Sequence, residues 1–207
     1  MVNDASDRPK LTAKGARTRA RIVEAAAALI HERGVAGTTL DDVKMAAEVS
    51  GSQLYHYFPD KDELVQAVID YHADGIVSRN RQALLGSADG VEAWRKMVIT
   101  AAKRTKAKGG CALGSLVGQL AESDPEARKL IASGFDRWEA AIGEGLRSLH
   151  AEGKLPSDVD PDDLAVTLLA TLEGGLLLAQ AQRSTRPFET AINTLLALTT
   201  PTTSASR

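Results

Sequence analysis

A single cysteine, Cys111, stands in this 207-residue chain. No disulfide can form within it, which fits a reducing compartment. No run alternates apolar and polar residues as a strand does. The amino-terminal stretch is polar and charged and lacks the apolar centre of a secretory signal. The most apolar stretch, Leu164–Ala181, is broken by Glu173 and by Gly174-Gly175, a poor pattern for a membrane span. A cytoplasmic protein without a membrane partner is expected. The histidines, His31, His56, His72 and His150, lie far apart, with no cysteine or carboxylate at metal-ligand spacing. No metal, cofactor or catalytic constellation is therefore expected. Basic charge is not in excess either: 25 Lys and Arg against 27 Asp and Glu leave a formal charge of −2. The whole-chain balance does not by itself point to a nucleic acid.

The charge is uneven, however. Arg8, Lys10, Lys14, Arg17, Arg19 and Arg21 fall in one stretch that holds no acidic residue, and a local patch is what phosphate contact requires. Residues 1–12 read as a mobile arm. A first helix is expected over about Lys14–Arg33, with Gly34 as its stop and Ile22, Val23, Ala26, Leu29 and Ile30 as its apolar stripe.

The stretch Thr39–Lys61, TLDDVKMAAEVSGSQLYHYFPDK, holds two short helical patterns around a tight turn. In the first, Leu40, Val43, Met45 and Ala46 fall on roughly one side. The second runs from about Gly51 to Tyr57. Helices this short are unstable alone, so they must cross steeply and share a core, leaving the outer face of the second open to a groove. Thr39-x-x-Asp42, Ser50-x-x-Gln53 and Asp60-x-x-Glu63 fit the capping-box spacing or a relative of it.

Thr39, Val49-Ser50, Leu54-Tyr55-His56-Tyr57-Phe58 and Lys61 with Leu64 together resemble the DNA-binding module of the TetR family of transcriptional regulators. Glu48 departs from that pattern, standing where the family usually has glycine. If φ must be positive there, glutamate costs about 1 kcal/mol more than glycine. The resemblance implies a double-stranded operator of inverted-repeat form as partner. Arg17, Arg19, Thr39, Lys44, Ser50, Tyr57 and Lys61 would hold phosphates or flank them. Ser52, Gln53, Tyr55 and His56 would face base edges, since the recognition helix carries no Arg or Lys. Phe58 is expected in the core.

From Lys61 a long helix is expected to reach the low 80s and to link two domains, 1–60 and 61–207. Its inward side is marked by Leu64, Val65, Val68, Ile69, His72 and Ile76, and Gly86-Ser87-Ala88-Asp89-Gly90 ends it. Further helices are expected over about Val91–Lys106, Cys111–Ala121, Pro125–Ala151, Pro161–Gln182 and Pro187–Leu198. A disordered Thr/Pro/Ser tail closes the chain. The fold class is all-α, with about nine helices.

Trp94, Met97, Val98, Cys111, Leu113, Leu116, Val117, Phe135 and Trp138 either fill a core or line an apolar cavity. The resemblance favours the cavity, with a small apolar or aromatic effector of unknown identity as partner. Gly110-Cys111 also resembles the start of the sixth helix in a flavonoid-responsive subgroup of the family. Cys111 itself reads as a redox sensor or as a small buried hydrophobe. The Pro161–Gln182 helix is apolar almost all round, so both sides must be covered. A homodimer is expected, with Leu164, Leu168, Leu172, Gly175, Leu176 and Leu195 at a four-helix interface. The sequence thus points to a ligand-responsive, dimeric repressor. A helical interaction protein and a small α-helical enzyme using the same cavity are the alternatives.

Overall fold

The computed structural model describes residues 11–86 and 89–199. Most of the expected arm, including Arg8 and Lys10, lies outside these, as do Ser87, Ala88 and the tail from residue 200. Among the described residues there are nine helices and no strand. The chain divides into two compact units, one ending at Val68 and the other beginning at Ile69.

The first unit holds α1 (Ala13–Arg33), α2 (Leu40–Ala46), α3 (Gly51–Tyr57) and the start of α4 (Lys61–Leu85). Each helix begins where a side chain can accept from a free backbone N–H. Thr12 Oγ1 accepts from Gly15 N at 3.1 Å, and Asp60 Oδ1 from Glu63 N at 2.8 Å. Complete capping boxes open α2 at Thr39 and α3 at Ser50. Gly34, at φ 78°, stops α1 and donates to the Ile30 carbonyl. The unit's buried apolar set is Ile22, Val23, Ala26, Ala27, Ile30, Val43, Ala47, Val49, Leu54, Phe58, Leu64, Val65 and Val68. α1 packs on α2, and α2 on α3.

Two expectations for this unit need correcting. Met45 is 74% exposed and Ala46 is exposed as well. In a helix of two turns only Val43 and Ala47, one turn apart, face inward. The units also meet inside α4 rather than ahead of it, because Leu64, Val65 and Val68 complete the first core.

The second unit continues α4 and adds α5 (Gly90–Arg104), α6 (Gly114–Leu120), α7 (Pro125–Ala151), α8 (Pro161–Gln182) and α9 (Arg186–Leu198). Asp124 and Asp160 cap α7 and α8, each ahead of a proline at the first helical position. α8 packs chiefly against α9 and α7, α6 lies on α7, and α5 on α9. α6 starts three residues later than the expected Cys111, because Lys106, Ala107, Gly109 and Gly110 all take left-handed backbone and bend the chain before it. Gly175 is in the core for a steric reason: a Cβ there would sit 2.9 Å from the Phe188 ring. α8 is long and apolar enough to cross a membrane, yet Leu164, Leu168, Leu169 and Leu172 are buried inside the unit.

Candidate nucleic-acid interface and effector cleft

α3 owes its placement to its core face. Leu54 and Phe58, one turn apart, are both buried, so the intervening and preceding residues point outward. Ser50, Ser52, Gln53, Tyr55 and His56 are all exposed, Tyr55 by 57%, whereas Tyr57 and Lys61 are half-buried.

The cap restricts what some of these side chains can offer. Ser50 Oγ accepts from Gln53 N at 3.2 Å and shares a hydrogen bond with Ser52 Oγ at 3.0 Å. Gln53 Oε1 in turn accepts from Ser50 N at 3.0 Å. Gln53 therefore presents mainly its NH2 donors outward. The His56 and Tyr57 rings meet edge to face at 4.9 Å. Lys44 is paired with Asp41, whose carboxylate raises the lysine pKa first by hydrogen bonding and then by charge. Thr39 both caps α2 and donates to Asp42 Oδ2 at 2.6 Å, which lowers the Asp42 pKa.

The turn between α2 and α3 is left-handed at Glu48, with φ 51°. The position thus takes the backbone that glycine favours although it carries a Cβ. Arg21 Nη2 donates to the Glu48 carbonyl at 3.4 Å, tying α1 to the turn. Arg19 sits over the Phe58 ring, 5.0 Å from its centroid. It is thereby ordered beside α3, and its guanidinium edge retains donors. Leu11, Arg19, Tyr55, His56, Tyr57, Pro59 and Glu63 surround a hollow of about 410 Å³. The cation–π contact and the Arg21 clamp had no signal in the sequence beyond the basic run itself.

In the second unit the expected cavity residues separate. Trp94, Val98, Leu113, Leu116 and Trp138 are buried core. The Trp94 indole N–H donates to Asn80 Oδ1 at 2.6 Å, and Asn80 donates to the Ile76 carbonyl at 2.8 Å. Only Cys111, Val117 and Phe135 of the expected set line a common cleft, together with Gly110, Gly114, Ser115, Glu173, Gly174, Leu177 and Gln180. Met97 is half-buried and lines neither this cleft nor the other. A second hollow of about 520 Å³ is walled by Leu146, Leu149, Leu155, Leu164 and Leu196, with Arg95 and Asn193. It holds none of the expected cavity residues.

The dimer residues also need correcting. Leu164, Leu168, Leu172 and Gly175 are buried within the protomer and present no surface to a partner. Leu176 and Leu195 are half-buried. The apolar residues that α8 and α9 leave exposed are Val166, Leu177, Leu178 and Leu198.

The chain matches the bacterial regulatory proteins of the tetR family over residues 22–68, and a tetracyclin repressor-like C-terminal domain over residues 88–195. It is 27% identical over 188 residues to a helix-turn-helix-type transcriptional regulator of Mycobacterium tuberculosis, taking in 83% of this chain and 88% of that protein. The helix-turn-helix-type transcriptional repressor DhaR of a Mycobacterium species is 25% identical over 187 residues, 89% and 93% of the two chains. Among solved structures, a TetR transcriptional regulator of Chloroflexus aurantiacus superposes with a TM-score of 0.75 at 29% identity, covering 90% of this chain and 96% of that one. A capped, outward-facing α3 beside a basic α1, matched along both units, places this chain in the TetR family of DNA-binding transcriptional regulators.

Proposed function

We propose that the protein is a repressor that binds an inverted-repeat operator as a homodimer and leaves it when a small molecule occupies the second unit. The outward face of α3 carries this reading: five polar or aromatic side chains on a helix locked by its capping box. Gln53, Ser52, Tyr55 and His56 face base edges, while Arg17, Arg19, Lys61 and Tyr57 hold phosphates. Lys44 contributes only after it leaves Asp41. Two such helices related by a two-fold axis enter successive major grooves about 34 Å apart. Exposed Leu178, Leu198 and Val166 supply the apolar surface that a second copy covers. The relative DhaR is itself named a repressor.

Release works through α4, the one helix that contributes residues to both units. A ligand that favours one α4 position changes the separation of the two α3 helices. To take the dimer from almost wholly bound to almost wholly released, it must favour that state by about 5.5 kcal/mol.

Selection of bound duplexes from a random pool, followed by titration at several salt concentrations, tests the reading. An inverted repeat and a steep fall of affinity with salt are expected. Recovery of no preferred duplex, or an affinity indifferent to salt, overturns it.

A further inference from the structure

The cleft bounded by α6, α7 and α8 contains a carboxyl group with one oxygen that no donor in the protomer satisfies. Oε1 of Glu173 is buried and has no hydrogen-bond partner. Leaving a carboxylate oxygen in that state is costly, more so than leaving a neutral acceptor. The site is nevertheless built to hold the group. Gly114 lacks a Cβ that would lie 2.1 Å from Glu173 Oε2, and Gly110 lacks one that would lie 2.6 Å from Gln180 Oε1. Two glycines at the entrance to α6 thus make room for two oxygen-bearing side chains of α8. The Cys111 thiol lies against the same carboxyl and lowers its pKa by hydrogen bonding, but burial acts more strongly and raises it. No lysine or arginine is among the residues that line the cleft.

Apart from Ser115, whose hydroxyl donates to the Ala112 carbonyl at 3.0 Å, the remaining walls are apolar. Val117 and Leu177 stand at the exposed rim, and Phe135 lies stacked on Trp138 at 6.3 Å. The volume is about 340 Å³, at the small end of ligand pockets. The 520 Å³ hollow is a weaker candidate because its central polar groups, Arg95, Glu92 and Asn193, already satisfy one another. Arg95 donates to both Glu92 oxygens, at 2.6 and 2.7 Å, and to Asn193 Oδ1 at 3.0 Å.

The geometry points to the α6–α7–α8 cleft as a site for a small aromatic molecule carrying a protonated amine, its ammonium paired with the Glu173 carboxylate and its ring beside Phe135. The cation supplies the missing donor and the missing counter-charge together. An anion would meet the carboxylate and is excluded. Gln180 offers a second acceptor at the same end of the cleft. The assignment rests on the effector reading above for its regulatory consequence, not for the binding itself.

Three probes with one indole ring separate charge from shape: tryptamine, neutral tryptophol and anionic indole-3-acetate. Calorimetric titration of the full chain is expected to rank tryptamine first and indole-3-acetate last. In Glu173→Gln, tryptamine should weaken at least about tenfold and fall to the level of tryptophol. An unchanged helical signal and melting midpoint establish that the variant is folded. If tryptamine fails to bind the parent, or binds the variant equally well, the assignment is overturned. If Glu173→Gln instead alters self-association without altering tryptamine binding, the carboxylate belongs to contact with a second copy, and the assignment is likewise overturned. Operator affinity is read separately. Tryptamine that binds through Glu173 yet leaves operator affinity unchanged upholds the site and removes the release mechanism proposed for this cleft.

Discussion

Glu48 holds the α2–α3 turn in left-handed backbone at φ 51°, where a Cβ is unfavourable and glycine is not. Glu48→Gly is therefore expected to stabilise the protein by about 1 kcal/mol, seen as a rise of about 2–4 °C in melting midpoint. An unchanged or lowered midpoint would show that the freedom glycine adds to the unfolded chain offsets the strain relieved. Cys111 lends itself to an equally direct test. Burial pushes its thiol pKa well above the usual range, and the charge of Glu173 adds to the effect. The thiolate, not the thiol, reacts. Iodoacetamide at pH 8 should label Cys111 at least about tenfold more slowly in the native protein than in the unfolded chain. Equal rates would revive the redox-sensor role weighed for this residue.

At the scale of single helices, what the sequence could disclose follows a clear physical division. Caps and stops are local, so Thr39, Ser50, Asp60, Asp124, Asp160 and Gly34 announce themselves in the chain and act as expected. The left-handed turn at position 48 was likewise legible, from a pattern that calls for glycine there. Which apolar residues face a core and which face a cleft depends on distant partners. For that reason Trp94 and Leu113 joined the expected cavity while Glu173 and Gln180 went unassigned. Asn80 was invisible for the same reason: a polar residue on α4 has meaning only once Trp94 arrives beside it. Asn80→Ala removes the acceptor and leaves a buried indole N–H unpaired, a cost of about 1–3 kcal/mol. Chemical unfolding of N80A, W94F and the double variant measures it. A strictly additive cycle would show that the two side chains do not act as a pair.

α5 carries a pH-dependent contribution of its own. The hydrogen bonds from Arg95 lower the Glu92 pKa from 4.5 to about 2. A depressed carboxyl stabilises the fold fully above its unfolded pKa and loses that effect as pH falls through the folded one. Glu92→Gln should therefore be less stable than the parent at pH 7, with the gap closing between about pH 4.5 and pH 2. Thermal melts across that interval decide it; a gap that stays constant would mean that Arg95 holds Glu92 without favouring its ionised form.

For the molecule as a whole, the proposed pairing through the exposed apolar residues of α8 and α9 carries a consequence for how α3 would read DNA. α3 carries no lysine or arginine, so one copy offers no charge-assisted contact to base edges from its reading helix. In the proposed dimer, sequence-specific affinity comes from holding two reading helices at once, where the second contact is made at high effective concentration. The residues available to join two copies are those the protomer does not bury, and Leu178 and Leu198 are exposed by 50% and 77%. Leu178 stands outside the Glu173 cleft, so its substitution separates pairing from ligand binding. Leu178→Glu places a charge on that surface and should convert the protein to monomers at micromolar concentration, with melting behaviour little changed. Operator affinity should fall at least about 100-fold, while tryptamine binding persists. Sedimentation equilibrium and operator titration on one preparation give both numbers. A variant that stays dimeric, or a monomer that keeps the parent's operator affinity, would place the subunit contact or the source of affinity elsewhere in the chain.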